Sequence, residues 1–175
     1  MKSTINPIVI FLITGLFIYS CENEKTGSEQ LKITGNLVNN SPCKNELKSN
    51  SGVFDTPDSL SCVEYSFDDS NNKLIIKHIN AGFNCCPESL YCDVSLSNDT
   101  VIIQEFEAAA LCDCDCLFDL DIELNGVSPQ NYHIRFIEPY VENLEKLVFD
   151  IDLSKDKEGS FCVTRKGYPW GMNSW

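Results

Sequence analysis

The chain has 175 residues, a formal net charge of −13 and ten cysteines. Its length suits one domain after a short leader, and a domain of that size can bury a sizeable core. The negative charge argues against binding nucleic acid or anionic lipid through electrostatic attraction. It is typical of a well-solvated exterior, and it would also suit the binding of cations.

The N-terminus has the three parts of an export signal. Lys2 provides a positive start, residues 7–19 form an apolar run, and Ser20 precedes Cys21. The run is too short to span a bilayer, which takes about 20 apolar residues. Residues 18–21 (IYSC) resemble the bacterial lipobox, in which the cysteine becomes the lipidated N-terminus. The alternatives are an uncleaved anchor or a plain secretory peptide with a stray cysteine.

This signal predicts both the organisation and the location of the protein. Residues 1–20 would be a cleaved lipoprotein signal peptide, and residues 21–30 a lipidated cysteine with a flexible polar tether. Residues 31–175 would form one domain that ends in an aromatic tail, residues 166–175. We expect an outer membrane lipoprotein of the cell envelope, periplasmic or surface-exposed, held to the membrane by palmitate-type acylation of Cys21.

Short alternating segments separated by turn residues predict an all-β fold, a single antiparallel β-sandwich of the Ig-like kind. Alternation is clearest near residue 150, where Leu147, Phe149 and Ile151 share one phase. Residues 39–61 are predicted to be a surface loop. The candidate strands are residues 31–38, 62–67, 73–79, 90–96, 100–107, 112–124, 132–137, 146–153 and 160–165.

Nine cysteines follow Cys21, and export would place them in an oxidising compartment, so disulfides are the default expectation. An odd number leaves at least one thiol without an intramolecular partner. Cys162 is a candidate to pair with Cys43 or Cys62. The remaining cysteines, apart from Cys92, concentrate in two segments, NCCP with Cys85 and Cys86, and CDCDC with Cys112, Cys114 and Cys116.

The spacing in CDCDC places its three cysteines on one face of a strand, in phase with Phe118 and Leu120. This phase predicts buried sulfur with a structural role. The partners are expected in NCCP, where neighbouring residues of extended chain point to opposite sides and should reach different cysteines. Disulfides between the segments would close loops of about 26 to 31 residues, which stabilise by about 3.5 kcal/mol through loop-closure entropy.

A zinc or copper site built from the same thiolates, Cys85, Cys86, Cys112, Cys114 and Cys116, is the alternative. Residues i and i+4 of a straight strand lie about 13 Å apart, so Cys112 and Cys116 could share a metal only if the chain bends between them. Without that metal no cofactor is expected.

The acidic residues of the same segment, Asp113, Asp115, Asp119, Asp121 and Glu123, offer oxygen ligands for calcium. They do not match the spacing of an EF-hand, and they would be spread along one strand. A solvated sheet face is the preferred interpretation.

Catalysis has little support in the sequence. His78 and His133 fall in two candidate strands, without a nucleophile elbow, a phosphate loop or a zinc-protease motif. We therefore predict a non-enzymatic protein with no catalytic residues, although an enzyme with a loop-borne cysteine or histidine site is a further alternative. The expected partners are the membrane, through Cys21, and an unknown protein or glycan.

Three segments together resemble a family of uncharacterised cysteine-rich lipoproteins of the Bacteroidota type. They are AGFNCCPE (81–88), CDCDCLFDLDIEL (112–124) and FCVTRKGYPWGM (161–172). The resemblance implies a location in the cell envelope and a β-sandwich, and it implies no known activity, substrate or cofactor.

Overall fold

The computed structural model describes residues 32–44 and 56–167. The described part of the chain contains no α-helix, so it offers no helix that could cross a membrane. Its nine strands are β1 (Thr34–Asn40), β2 (Leu60–Asp68), β3 (Lys73–Asn84), β4 (Pro87–Ser97), β5 (Thr100–Ala110), β6 (Asp115–Asn125), β7 (Asn131–Ile137), β8 (Val148–Asp152) and β9 (Glu158–Thr164). Each candidate strand of the sequence overlaps one of them.

The strands form two sheets packed face to face. The five-stranded sheet has the order β1-β6-β3-β2-β9, and the four-stranded sheet has the order β4-β5-β7-β8. The predicted all-β sandwich is confirmed. One pair departs from a purely antiparallel arrangement, because β5 and β7 run parallel. The chain passes through β6 in the other sheet between them, and parallel neighbours require such a crossover connection.

Alternation along β8 shows how the sequence builds the core. Phe149 and Ile151 are buried between the sheets, and Leu147 and Leu153 continue the same phase on either side of the strand. Each of these side chains stabilises the fold by about 1.5–3 kcal/mol when it leaves water. The apolar phase predicted from the sequence is therefore the core-facing phase.

The phase predicted for β6 is also correct from residue 116 onward. Phe118, Leu120, Ile122 and Leu124 are buried together with Cys116. The acidic side chains on the other face are paired rather than simply solvated, as in the contact of 2.7 Å between Lys73 Nζ and Glu123 Oε2. Asn39 donates a hydrogen bond to Asp121, and Lys44 forms an ion pair with Asp119.

Two features adapt the strands to their neighbours. Gly35 in β1 lies so close to β4 that a Cβ atom there would come within 2.8 Å of Val94 Cγ2. In β3 the register shifts between His78 and Ala81, and Asn80 takes a positive φ of 63°. Beyond this bulge the strand is buried on both faces, and it remains paired with β6 as far as Asn84.

Several predictions concern residues outside the described part of the chain. These are the signal peptide, the lipidation of Cys21, the tether, most of the aromatic tail and residues 45–55 of the predicted surface loop. That loop is shorter than predicted at both ends, because β1 continues to Asn40 and β2 begins at Leu60.

Candidate functional site

The candidate site lies where two connections cross between the sheets. Only Cys85 and Cys86 separate β3 in the five-stranded sheet from β4 in the four-stranded sheet. Residues 111–114 make the reverse crossing from β5 to β6. The two connections run side by side, with Cys85 N donating to Cys114 O at 2.9 Å and Leu111 N donating to Cys86 O at 3.3 Å.

Two disulfides join these connections, Cys85 to Cys114 and Cys86 to Cys112. Their Cα atoms lie 5.5 and 5.6 Å apart, which is typical of disulfides. The adjacent cysteines of NCCP thus reach different partners, as their opposite directions in extended chain require. We call Cys85, Cys86, Cys112 and Cys114 the sulfur cluster.

Asn84 clamps both sides of the sulfur cluster with one side chain. Its Nδ2 donates to the carbonyl oxygens of Cys112 and Cys114 at 2.6 and 2.9 Å. Its Oδ1 accepts from the backbone N–H groups of Cys86 at 3.0 Å and Cys112 at 3.4 Å. The position of the two connections therefore depends on hydrogen bonds as well as on sulfur.

The sulfur cluster is at the surface, contrary to the buried position predicted for its CDCDC members. Cys112 and Cys114 are exposed, whereas Cys85 and Cys86 are half-buried. The prediction was wrong because β6 begins only at Asp115, so the period of two that places Cys116 in the core does not extend back to residue 112.

The four sulfur atoms lie within 4.8 Å of one another, and Cys85 Sγ is 3.8 Å from Cys86 Sγ. Sulfurs at the corners of a tetrahedral zinc site, with Zn–S near 2.3 Å, are about 3.8 Å apart. The bend at residues 112–114 brings Cys112 and Cys114 together, while Cys116 lies elsewhere. As disulfides these sulfurs cannot act as thiolate ligands, so metal binding would require their reduction.

Acidic groups flank the sulfur cluster. Glu107 Oε2 accepts from the backbone N–H of Asn84 at 2.7 Å, and its other oxygen accepts from the hydroxyl of Tyr140. Burial, followed by the charges of Glu107 and Asp113, raises the pKa of Asp115. The local potential is therefore negative and favours a cation over an anion at this end of the sandwich.

Two further disulfides join other parts of the sandwich, and each has one buried cysteine, Cys116 or Cys62, whereas Cys43 is half-buried and Cys162 is exposed. Cys116, expected to pair within NCCP, instead bonds Cys43. Cys62 bonds Cys162, which faces it across the β2–β9 ladder. Of the two partners that the sequence suggests for Cys162, Cys43 and Cys62, the structure pairs it with Cys62.

Cys92 is the free cysteine among the described residues, and it is buried in the core. Burial, and then the charge of Glu105 opposite it on β5, raise the pKa of the thiol to about 12. A thiol that is neutral at physiological pH and shielded from solvent is a poor nucleophile and a poor metal ligand.

A polar network crosses the interior between the sheets. His78 on β3 places Nδ1 2.7 Å from Glu105 Oε1 and Nε2 2.9 Å from Ser61 Oγ. Burial disfavours the imidazolium, but the carboxylates of Glu105 and Glu138 outweigh burial and raise the pKa of His78 above 6.5. The imidazolium can donate from both ring nitrogens.

A second ion pair extends this network. Arg165, just after β9, donates to both carboxylate oxygens of Glu138 at 2.9 and 2.8 Å, and also to the carbonyl oxygen of Glu145. Glu138 Oε1 lies 3.8 Å from His78 Nε2. Burial raises the pKa of Glu138 above 4.5, against the lowering effects of His78 and Arg165.

Sequence reasoning missed this network, although a signal was present. Glu105 occupies the same phase as the buried Val101 and Ile103, and His78 the same phase as Leu74 and Ile76. A polar residue in the apolar phase of a strand predicts a buried partner on the facing sheet. The distances between Ser61, His78 and Glu105 resemble those of a hydrolytic triad. All three side chains are buried from solvent, so a substrate could not reach Ser61 in this structure.

The other histidine lies at an acidic cleft of about 550 Å³. His133 Nδ1 is 2.7 Å from Asp150 Oδ1, and both side chains are exposed. The cleft is lined by Asp99, Asn131, Tyr132, His133, Asp150, Ile151, Asp152 and Asp156. Hydrogen bonds from Lys155 and Ser154 lower the pKa of Asp152, so part of the acidity is already compensated within the loop.

Comparison of the chain with protein-family models, with curated proteins and with solved structures gives no match. The geometry described above therefore carries the functional argument.

Proposed function

We propose that the protein is a lipid-anchored module of the cell envelope, whose disulfide-stapled sandwich has a structural or interaction role and no enzymatic one. The observation that supports this proposal is the pairing of eight cysteines into four disulfides. Such a density of disulfides is found in proteins of oxidising compartments. The lipobox-like sequence at Cys21 and the resemblance to envelope lipoproteins point to the same location.

The disulfides link segments that are distant in the sequence. Cys43–Cys116 and Cys62–Cys162 span 73 and 100 residues, and loops of that length give about 4.4 and 4.7 kcal/mol of loop-closure stabilisation. These values are large beside a typical total stability of about 5–15 kcal/mol. A fold joined by such disulfides resists unfolding.

A contact surface for a protein or glycan partner is offered by the outer face of the four-stranded sheet. Tyr91, which is 45% exposed, stacks on Phe106 of the neighbouring strand with ring centroids 5.0 Å apart. Exposed aromatic side chains are enriched at interfaces because they bury a large area at a low cost in conformational entropy.

The proposal is tested by metabolic labelling with palmitate and by fractionation of cells that express the full chain. We expect the label and the protein together in the membrane fraction. Cys21→Ser should abolish labelling and release the protein, whereas the matched variant Cys92→Ser should keep both. Equal labelling of the two variants, or no labelling of the wild type, would refute lipid attachment at Cys21.

Constitutive binding of zinc or copper(I) by the sulfur cluster is the second candidate function. The observation in its favour is the placement of four sulfur atoms within 4.8 Å of one another. Elemental analysis of protein purified without reductant separates the candidates. One metal ion per chain with four free thiols in the sulfur cluster would favour the metal site, and absence of metal with all four oxidised would favour the staple.

A further inference from the structure

We infer that the disulfide pair and the metal site are two redox states of one surface site. An external dithiol would open the disulfides of the sulfur cluster ahead of the other two, and the four freed thiolates would then bind one zinc-like cation. This inference rests on the stapled fold proposed above, and it adds a regulation that neither candidate function contains by itself.

Selective opening follows from exposure. An attacking thiolate must reach a sulfur atom along the S–S axis, so accessible disulfides exchange first. Both disulfides of the sulfur cluster have an exposed cysteine and a half-buried one. In each of the other disulfides one cysteine is buried, Cys116 at 0% and Cys62 at 4% exposure, so a thiolate can attack only its partner, the half-buried Cys43 or the exposed Cys162.

The two connections would keep their positions after reduction. The four hydrogen bonds of Asn84 hold the backbones of Cys86, Cys112 and Cys114 without using any sulfur atom. The bond from Cys85 N to Cys114 O and the adjoining ladder from Phe83 to Cys116 add further support. Ligands fixed in this way need little reordering to bind a metal, which favours affinity.

The sulfur spacing suits a tetrahedral thiolate site. Cys85 Sγ and Cys86 Sγ are already 3.8 Å apart, close to the sulfur separation in such a site. The two pairs now bonded would each need to separate by about 1.8 Å, to the same value. Rotation about the side-chain bonds can supply this shift while the backbones stay in place.

The charge around the sulfur cluster favours binding of a cation in the reduced state. Four thiolates beside Glu107, Asp113 and Asp115 would repel one another strongly. A divalent d10 cation offsets half of the thiolate charge and prefers sulfur over carboxylate oxygen. Without such a cation the reduced cluster should hold its protons as four thiols until a disulfide oxidant takes up the electrons and reforms the two bonds.

A dithiol is the reductant that opens the two disulfides of the sulfur cluster. Each protein disulfide receives two electrons and two protons from one dithiol, which leaves as its own disulfide. The four resulting thiols release four protons when they bind one divalent cation. Reoxidation by a disulfide oxidant reforms both bonds and releases the cation.

The test begins with the oxidised full-chain protein and a dithiol immobilised on beads, which filtration removes. Newly freed cysteines are alkylated and mapped by peptide mass. We expect Cys85, Cys86, Cys112 and Cys114 to be modified at least tenfold faster than the four cysteines of the other disulfides. Equal rates, or earlier opening of Cys62–Cys162, would overturn the selectivity.

A second sample of the reduced protein, not alkylated, receives zinc alone and is then dialysed. One zinc per chain should remain, and cobalt(II) in its place should give the charge-transfer absorption of tetrahedral thiolate coordination. Cys92→Ser should retain the metal, and the double variant Cys85→Ser, Cys114→Ser should lose it. Retention by the double variant, or no zinc on the wild type, would overturn the site.

The variant Asn84→Ala tests separately whether the hydrogen bonds of Asn84 hold the sulfur cluster in position. Its disulfides should still form, so the oxidised variant can be checked for folding, but zinc affinity after reduction should fall at least tenfold. Unchanged affinity would refute the role of Asn84. If the oxidised wild type has four disulfides and binds no zinc after reduction, this inference alone fails; if it is purified with free cluster thiols and metal, the stapled fold fails first.

Discussion

The interior of the sandwich and its sulfur-bearing end both concentrate reactive side chains, yet they differ in access. In the interior, His78, Glu105 and Cys92 are shielded from solvent, and Glu105 both contacts His78 and lies opposite Cys92 on the neighbouring strand. At the end, Cys112 and Cys114 are exposed between two short connections. Burial rather than residue type therefore decides which of these side chains an external reagent can reach.

The largest expected effect comes from removal of the longest covalent loop. Cys62→Ala with Cys162→Ala removes a disulfide that spans 100 residues and should lower the free energy of unfolding by about 4.7 kcal/mol. Urea titration followed by circular dichroism measures the change. A loss below about 2 kcal/mol would mean that the other disulfides already restrict this part of the unfolded chain.

Breaking the interior ion pair between Arg165 and Glu138 should lower the free energy of unfolding by nearly as much. Arg165→Met leaves Glu138 buried beside Glu105 without its bidentate partner, and the loss should be about 3–5 kcal/mol. Lys155→Met is the matched control, because its ion pair with Asp152 is at the surface and should contribute little to the free energy of unfolding. Similar losses for both variants would contradict the distinction between interior and surface.

Removal of one disulfide of the sulfur cluster should lower the free energy of unfolding by less than its span in the sequence suggests. Cys86–Cys112 spans 26 residues, which by itself corresponds to about 3.5 kcal/mol. Because Cys85–Cys114 already closes the same loop, the second bond closes only a ring of a few residues. Cys86→Ala with Cys112→Ala should therefore lower the free energy of unfolding by about 2 kcal/mol. A full loss of 3.5 kcal/mol would show that the two bonds act independently.

The smallest expected change is a pH dependence that originates in the interior. Since the pKa of folded His78 is raised above 6.5, its protonated form stabilises the fold below that pH, and this contribution is lost as the pH rises through the folded pKa. The raised pKa of Glu138 acts with the same sign from about pH 4.5 upward.

Urea midpoints measured between pH 6 and pH 9 should therefore fall with increasing pH. His78→Gln should flatten this slope, whereas His133→Gln, outside the buried network, should retain it. A midpoint of the wild type that rises over this range would contradict a charged His78 in the core.

The sequence predicted the nine strands because alternation has a period that needs no tertiary information. It also predicted that NCCP and CDCDC meet, since neighbouring cysteines of extended chain point to opposite sides and should reach different partners. It could not predict that Cys62 pairs with Cys162, because the two face each other only through the register of β2 and β9. Nor could it predict that the chain bends before Asp115 and exposes Cys112 and Cys114.

The interior network required knowledge of the facing sheet. Ser61, His78 and Glu105 come from three strands in two sheets, and only their packing brings the side chains within 2.9 Å of the histidine ring. Sequence alone could mark His78 and Glu105 as polar residues in apolar phases, but it could not show that they bind each other.

The most direct test of the stapled fold is the intact mass of the chain, purified without reductant, with peptide mapping of its cysteines. We expect a mass loss of two hydrogens for each of the four disulfides, no bound metal, and Cys92 as the free thiol among the described residues. Free thiols at Cys85, Cys86, Cys112 and Cys114, or a disulfide that includes Cys92, would contradict it.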